Sequence, residues 1–154
     1  MHRTLVILLL AASATAQAAD SPARRPQIER GRYLVNIAGC NTCHTPGFHT
    51  TGNKTPDSLL LTGSDRGWRG PWGTTYPVNL RLYFDRITED QWLQVARETD
   101  RRPTMPYFAL NAMNKSDLRA IYRYMRHLGP AGSPEPKPVP PGGEAPPAYV
   151  QFGP

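Results

Sequence analysis

The sequence predicts a mostly α-helical fold with three or more helices and long loops. Three segments repeat apolar residues at spacings of three, four and seven, which is the period of an amphipathic helix. Between the first two segments, residues 44–86 are rich in glycine, proline and other turn-forming residues and show no alternation that indicates a strand. We therefore expect helices that are joined by irregular connections.

The first predicted helix covers residues 27–38. Its apolar face carries Ile28, Gly31, Val35 and Ala38. A glycine within a helix costs about 1 kcal/mol relative to alanine, so a packing reason is expected for Gly31. Close crossing of another helix is one such reason.

The second predicted helix begins after Thr88, whose hydroxyl can cap it while Gln91 completes a capping box three residues on. The helix is predicted to end near Thr99. We expect its inner face to consist of Trp92, Val95 and Ala96.

The third predicted helix is capped by Asn114 or Ser116 and ends at Gly129 and Pro130. Its apolar residues follow at helical spacing and are Leu118, Ile121, Tyr122, Met125 and Leu128. The other face carries Arg119, Arg123 and Arg126. This basic face is either simply solvated or a docking surface for a partner.

The two ends of the chain differ in composition from the helical part. Residues 1–18 combine a short positive segment, an apolar run and an A-x-A cleavage site, which predicts a secretory signal peptide too short to span a bilayer. Residues 130–154 are rich in proline and are predicted to form a tail that wraps around the domain or dangles from it. We expect the folded domain at residues 19–129 of an exported protein, which in a bacterium is periplasmic.

A C-x-x-C-H motif occupies residues 40–44 and contains both cysteines of the chain. This spacing is typical of covalent attachment of a c-type haem, in which each thiol adds across one vinyl group. His44 is then placed to reach the iron from one face. Other interpretations are a zinc site that adds His49, a thioredoxin-like dithiol and a plain disulfide. The zinc site lacks further cysteines, and the flanking sequence offers no βαβ unit for a thioredoxin-like dithiol.

The second axial ligand of the iron is sought among His49, Met105, Met113, Met125 and His127. Met105 is preferred because Pro103 and Pro106 suppress helix around it and hold its thioether on a stiff loop. Met125 lies on the apolar face of the last helix and is expected to pack in the core. A methionine and histidine pair fills both axial positions and raises the haem potential.

Several short segments carry a resemblance to a known family. They are I-E-R-G-R-Y-L at 28–34, A-G-C at 38–40, P-W-G-T-T-Y-P-V-N-L at 71–80, M-P-Y at 105–107 and D-L-R-A-I-Y-R-Y-M-R at 117–126. With them, residues 28–128 resemble a class I cytochrome c, and more narrowly the cytochrome c subunits of membrane-bound alcohol and gluconate dehydrogenases. The chain departs from these subunits in having a single haem motif, since they usually carry several haem domains.

The resemblance implies a class I cytochrome c fold around one covalently bound haem c and its iron. Cys40 and Cys43 would form the thioethers, and His44 and Met105 would be the iron ligands. Candidate hydrogen-bond partners of the haem propionates are Trp72, Tyr76, Asn79 and Arg81, unless these side chains only build the core of their own loop. The resemblance also places Gly31 and Tyr122 where the first and last helices cross.

These observations predict an exported mono-haem cytochrome that carries one electron at a time from a periplasmic dehydrogenase towards an oxidase or another cytochrome. It would not itself be an enzyme, although it can be a subunit of an oxidoreductase complex in a respiratory chain. The alternative is a haem enzyme or a sensor of a gas or peroxide, in which Met105 does not bind the iron and an axial site is open.

The net charge of +6 at pH 7 indicates partners of opposite charge. Basic cytochromes can be steered to acidic docking surfaces of redox proteins, and association with a negatively charged membrane surface stays open. Nucleic acid is disfavoured because the arginines do not form one run with interleaved aromatics. No stretch after residue 18 is apolar and long enough to span a bilayer, so an integral membrane protein is not expected.

Overall fold

The structure is a computed structural model that describes residues 24–98, 103–146 and 148–153. The predicted signal peptide at 1–18 lies outside the described residues. The predicted start of the domain at residue 19, the predicted helix end at Thr99 and the last residue of the tail lie outside them as well.

The described part of the chain is mostly α-helical, as predicted. The helices are α1 (Arg25–Ile37), α2 (Cys40–His44), α3 (Phe48–Thr51), α4 (Leu80–Arg86), α5 (Glu89–Glu98), α6 (Tyr107–Ala112) and α7 (Lys115–Leu128). Short 3-10 turns cover Gly52–Lys54 and Asp57–Leu59, and the strands are β1 (Gly67–Gly70), β2 (Gly73–Thr75) and β3 (Tyr149–Gln151). None of these described helices has the length and apolar character needed to cross a membrane.

Helices α1 and α7 cross closely at Gly31, which confirms the prediction for this glycine. A Cβ atom at this position would lie 2.1 Å from the carbonyl oxygen of Ala120 and 2.7 Å from Cβ of Tyr124. The prediction that Tyr122 lies at this crossing is wrong. Its hydroxyl donates to the carbonyl of Ile87 at 3.1 Å, because residue 122 points away from the α7 face that carries residues 120 and 124.

Helix α5 contributes its buried face to the core through Trp92, Leu93 and Ala96. The prediction that Val95 belongs to this face is wrong, since 40% of its surface is exposed. The indole ring of Trp92 contacts Phe84 of α4 with centroids 4.7 Å apart, and its N–H donates to the carbonyl of Leu118 at 2.8 Å. These contacts rotate α5 so that residue 93 faces inward in place of residue 95.

Asn114 is the N-cap of α7, which decides between the two residues predicted for this role. Its side-chain oxygen accepts a hydrogen bond from the backbone N–H of Asp117 at 2.8 Å. The hydroxyl of Ser116 donates to the same oxygen at 2.6 Å and so supports the cap. The buried residues of α7 are Leu118, Ala120, Ile121, Tyr124 and Met125, whereas Leu128 is only partly buried.

Replacing Asn114 by alanine is expected to lower the free energy of unfolding by about 1 kcal/mol, because the first turn of α7 loses an acceptor for its N–H groups. Replacing Ser116 by alanine leaves the cap in place and should change this free energy by less than about 0.5 kcal/mol. Denaturant unfolding of both variants measures the two values. A larger loss for the Ser116 variant would contradict the assignment of the cap.

The arginines of α7 form ion pairs with neighbouring helices, which neither predicted alternative included. Arg119 and Arg123 lie 2.9 Å and 3.6 Å from the carboxylate of Glu89 on α5. Arg126 lies 3.2 Å from the carboxylate of Asp85 on α4. Because these side chains are partly exposed, each pair adds little to stability. The basic face of α7 therefore connects it to α4 and α5.

A small sheet lies partly in the region for which no strand pattern was seen, so that expectation is wrong. Strand β1 pairs antiparallel with β2, with Trp68 opposite Thr75, and parallel with β3, with Trp68 opposite Val150. The strands have only three or four residues, and β1 and β2 contain glycines. Alternation of polar and apolar residues cannot be recognised over so short a length.

The proline-rich tail wraps around the domain along this sheet and does not dangle. Val139 and Thr74 exchange two backbone hydrogen bonds, at 2.8 Å and 2.9 Å. Near the end of the chain, the ring of Phe152 packs against Trp68 and Trp72 with centroid distances of 5.7 Å and 6.1 Å. The tail therefore lies against the loop that contains β1 and β2.

Candidate haem-binding site

The C-x-x-C-H motif forms the short helix α2, directly after a sharp turn from α1. Gly39 makes this turn in the left-handed conformation, with φ of 70°, which residues other than glycine rarely adopt. Cys40 and Cys43 are three positions apart in a helix and therefore lie on the same face. The helix ends at His44, so a single element carries both thiols and the imidazole.

His44 is buried, with 8% of its surface exposed, and its ring has a defined orientation. Nδ1 lies 2.8 Å from the carbonyl oxygen of Val78. Because a carbonyl can only accept a hydrogen bond, Nδ1 carries the proton and Nε2 keeps its lone pair. Burial lowers the pKa of His44, against smaller increases from the Val78 carbonyl and the charge of Glu135. A neutral imidazole with an available Nε2 is the form that binds a metal ion.

A chain of polar side chains holds the end of α2 in place. Thr45 donates to Asn41 Oδ1 at 2.8 Å, and Asn41 Nδ2 donates to Asn36 Oδ1 at 3.1 Å. The hydroxyl of Thr45 also accepts from the backbone N–H of Leu61 at 2.8 Å. These residues were not predicted from the sequence. Asn41, for example, occupies a position of the C-x-x-C-H motif at which any residue is allowed. Their mutual hydrogen bonds stiffen the helix that presents the motif.

The two thiols form no disulfide in the structure. Burial raises the pKa of Cys40 to about 11 and also raises the pKa of Cys43. Disulfide oxidoreductases need a thiol of lowered pKa, so the dithiol interpretation loses support. Among the described residues, no group of three or more His, Cys, Asp and Glu side chains is arranged to hold a metal ion. The structure therefore adds no support for a zinc site.

The loop that carries Met105 is attached to the same segment that orients His44. Thr75 Oγ1 donates to the carbonyl of Pro103 at 2.9 Å. Three residues further on, the carbonyl of Val78 accepts the hydrogen bond from His44. This short segment therefore connects the predicted proximal ligand with the loop of the predicted distal ligand.

The other candidates for the second iron ligand lie in different surroundings. Met125 is buried in the core with 2% of its surface exposed, as predicted, and Met113 packs against the same core from its edge. His49 and His127 are exposed, on α3 and near the end of α7. Met105 is the methionine of this set that lies outside the core, and its role as the distal ligand stays a prediction.

Tyr76 shows whether the residues of this loop fit a haem. Its side chain is 7% exposed, and its hydroxyl is the one buried side-chain N or O atom without a hydrogen-bond partner in the described residues. A buried hydroxyl without a partner costs about 1–3 kcal/mol, so a polar group of a ligand is expected beside it. A haem propionate has the required polarity, and Tyr76 therefore fits the group.

The other three propionate candidates already use their polar atoms within the protein. The indole N–H of Trp72 donates to a carbonyl of β1 at 3.2 Å. Asn79 Nδ2 donates to two carbonyls of the tail at 2.9 Å and 3.0 Å. The guanidinium of Arg81 donates to the carbonyls of Leu128, the last residue of α7, and of Gly129, its C-cap. Their contacts with propionates stay a prediction, and in the structure they connect the loop to the tail and to α7.

Comparison with known proteins identifies relatives over most of the chain. The cytochrome subunit of fructose dehydrogenase from Gluconobacter japonicus is 30% identical over an alignment of 148 residues with gaps, and 87% of this chain and 29% of that protein are covered. The cytochrome c subunit of the quinone alcohol dehydrogenase from Gluconacetobacter polyoxogenes is 28% identical and covers 84% of this chain, with 28% of its own length matched. The cytochrome c subunit of gluconate 2-dehydrogenase from Pantoea cypripedii is 25% identical, with 82% of this chain and 29% of that protein covered.

The relatives are much longer proteins, since the chain spans less than a third of the length of each. No family model matches the chain. No solved structure matches it either. The relatives are nevertheless all cytochrome subunits, and the family resemblance predicted from the short segments is confirmed. The chain is thus related over most of its length to the cytochrome c subunits of dehydrogenases, and its mostly α fold is that of a cytochrome c.

Proposed function

We propose that this chain is an exported cytochrome c that binds one haem and carries single electrons from a periplasmic dehydrogenase to an oxidase or another cytochrome. The orientation of His44 carries the proposal, because its tethered Nδ1 leaves Nε2 available to bind iron. One haem is proposed because the sequence has one C-x-x-C-H motif. The chain would be an electron-transfer component of an oxidoreductase complex, not its catalytic subunit.

Each part of the haem has a residue that would hold it. These residues are Cys40 and Cys43 for the thioethers, His44 and Met105 for the iron, and Tyr76 for a propionate. The haem supplies a one-electron couple, and a histidine and methionine pair leaves no axial position for a substrate. The chain itself buries the imidazole, orients it through Val78 and keeps water away from it.

The relatives and the charge support the proposed partners and location. The relatives are named as subunits of fructose, alcohol and gluconate dehydrogenases, which supports a dehydrogenase as the electron donor. The signal peptide pattern of residues 1–18 supports export to the periplasm. The basic composition, with a net charge of +6 before signal-peptide removal and haem binding, supports docking to an acidic surface of a redox partner and suits an anionic membrane surface as well.

A second candidate function is a haem enzyme or a sensor of peroxide or a gas. The exposure of Met105 favours it, because 37% of this side chain is in contact with solvent. A thioether that stays in solvent would leave one axial position open. The iron could then bind a small molecule directly.

Optical spectra of the haem-loaded protein, with and without the substitution Met105→Ala, distinguish the two functions. We expect the oxidised protein to show the weak far-red band that methionine coordination produces, and the variant to lose it. Met113→Ala is the matched control, because Met113 packs at the edge of the core and its loss should leave the band unchanged. A high-spin spectrum that responds to carbon monoxide and is insensitive to Met105→Ala would support the second function.

A further inference from the structure

One peptide unit lies between the imidazole of His44 and a carboxylate of the tail. Its carbonyl belongs to Val78 and accepts the Nδ1 proton of His44 at 2.8 Å. Its N–H belongs to Asn79 and donates to Oε2 of Glu135 at 2.9 Å. The groups therefore follow one another in the order imidazole, peptide, carboxylate.

The tail holds Glu135 in this position by contacts on both sides of it. Before Glu135, two tail carbonyls accept hydrogen bonds from Asn79 Nδ2 at 2.9 Å and 3.0 Å. After it, Val139 exchanges two backbone hydrogen bonds with Thr74 of β2. Glu135 is only half-buried, but these contacts fix the backbone on either side of its side chain. The carboxylate is therefore placed against the peptide by the fold of the tail.

A carboxylate on the N–H side of a peptide polarises the carbonyl on its other side. Hydrogen bonds to a charged group are roughly twice as strong as those between neutral groups, and bonds in a chain strengthen one another. The oxygen of Val78 thus becomes a better acceptor for the Nδ1 proton of His44. An imidazole with a stronger acceptor at Nδ1 is a stronger donor to a metal through Nε2. Stronger donation stabilises oxidised iron more than reduced iron.

We infer that Glu135 is a positioning residue that lowers the reduction potential of the haem by acting on His44 through the peptide between Val78 and Asn79. The inference rests on the proposed function, since it requires haem iron at His44 Nε2. It assigns to the proline-rich tail a part in setting the potential. The competing explanation is that Glu135 only fastens the tail, in which case its charge has no effect on the potential.

The substitution Glu135→Gln tests the inference, because glutamine keeps an oxygen that can accept from Asn79 and removes the charge. We expect the midpoint potential of the haem-loaded, full-length protein to rise. In NMR spectra of the reduced protein, the Nδ1 proton of His44 and the amide proton of Asn79 should shift upfield as their hydrogen bonds weaken. Glu144→Gln is the matched control, since it removes one charge from an exposed position of the same tail and should change neither quantity.

A loosened tail could also change the potential, so a second variant separates this effect. Phe152→Ala removes the ring that packs on Trp68 and Trp72 and leaves Glu135 in place. Limited proteolysis reports how firmly the tail is docked in each variant. A larger rise of the potential in Glu135→Gln than in Phe152→Ala, together with the two NMR shifts, supports the inference. The inference is overturned if Glu135→Gln and Phe152→Ala have equal midpoint potentials. It is also overturned if Glu135→Gln and Glu144→Gln have equal midpoint potentials.

Failure of the proposed function has a different signature from failure of the inference. A protein that binds no haem covalently would overturn both. A haem-bearing protein with methionine and histidine ligation, in which Glu135→Gln leaves the potential and the His44 signal unchanged, would overturn the inference alone.

Discussion

Replacing Gly31 by alanine is expected to destabilise the protein by about 3 kcal/mol, because the close crossing of α1 and α7 has no space for a methyl group. This methyl would lie 2.1 Å from the carbonyl oxygen of Ala120 and 2.7 Å from its carbonyl carbon. Both are backbone atoms of α7, which cannot move aside as the end of a flexible side chain can. The two helices would have to separate, and their packed interface would lose contacts throughout. The better helix propensity of alanine recovers only about 1 kcal/mol.

Denaturant unfolding of the haem-loaded protein measures this loss, with Gln27→Ala as a control in the same helix. Gln27 is exposed, so alanine at this position should be neutral or slightly stabilising. The double variant Gly31→Ala/Ala120→Gly is not expected to recover stability, because the methyl group meets the backbone of residue 120 and not its side chain. A loss below about 0.5 kcal/mol for Gly31→Ala would show that the helices cross with more space than the structure has.

The double substitution Cys40→Ala/Cys43→Ala is expected to abolish covalent attachment of the haem. The chain contains no other cysteine, so no thioether bond can form in this variant. The haem should then pass completely into acidified acetone, whereas in the unmodified protein it should stay with the polypeptide. The thermal midpoint of unfolding should fall as well, because haem bound without thioethers can dissociate and then no longer stabilises the folded state.

The control for the cysteine variant is Thr42→Ala, which keeps the C-x-x-C-H pattern. Thr42 is exposed between the two cysteines, so its variant should retain covalent haem in full. Haem that resists extraction from the double cysteine variant would contradict the assignment of the thioethers. An unmodified protein that never acquires covalent haem would contradict it too, and thiol titration and metal analysis would then decide between a disulfide and a zinc site.

Helices with strong local signals were predicted close to their observed bounds. Helix α1 was expected at 27–38 and is found at Arg25–Ile37, and the expected start of α5 after Thr88 is confirmed. For α7, the terminal glycine was identified from the sequence, and the cap was narrowed to Asn114 or Ser116, of which Asn114 is the cap. Caps and helical spacing act within one or two turns, so these elements are specified by neighbouring residues.

The errors concern positions whose surroundings come from distant parts of the chain. Val95 and Tyr122 both lie at apolar helical spacing. On α5, the packing of the Trp92 ring decides which face is buried, and on α7 the close crossing at Gly31 decides it. The strands were missed for a related reason, because β1 is stabilised by pairing with β3 at the far end of the chain. Local composition does not contain that pairing partner.

The chemistry of the site could be read from residues that are close together in the chain. The C-x-x-C-H motif places two thiols and an imidazole within residues 40–44, and helix geometry alone brings the thiols to one face. The surroundings of His44 could not be read in this way. Its acceptor, the carbonyl of Val78, is 34 residues away, and Glu135 lies 56 residues beyond Asn79, to which it is hydrogen-bonded. Many carbonyls and carboxylates are chemically equivalent in the sequence, and only the packing of the loop and the tail selects the ones that reach the imidazole and its peptide partner.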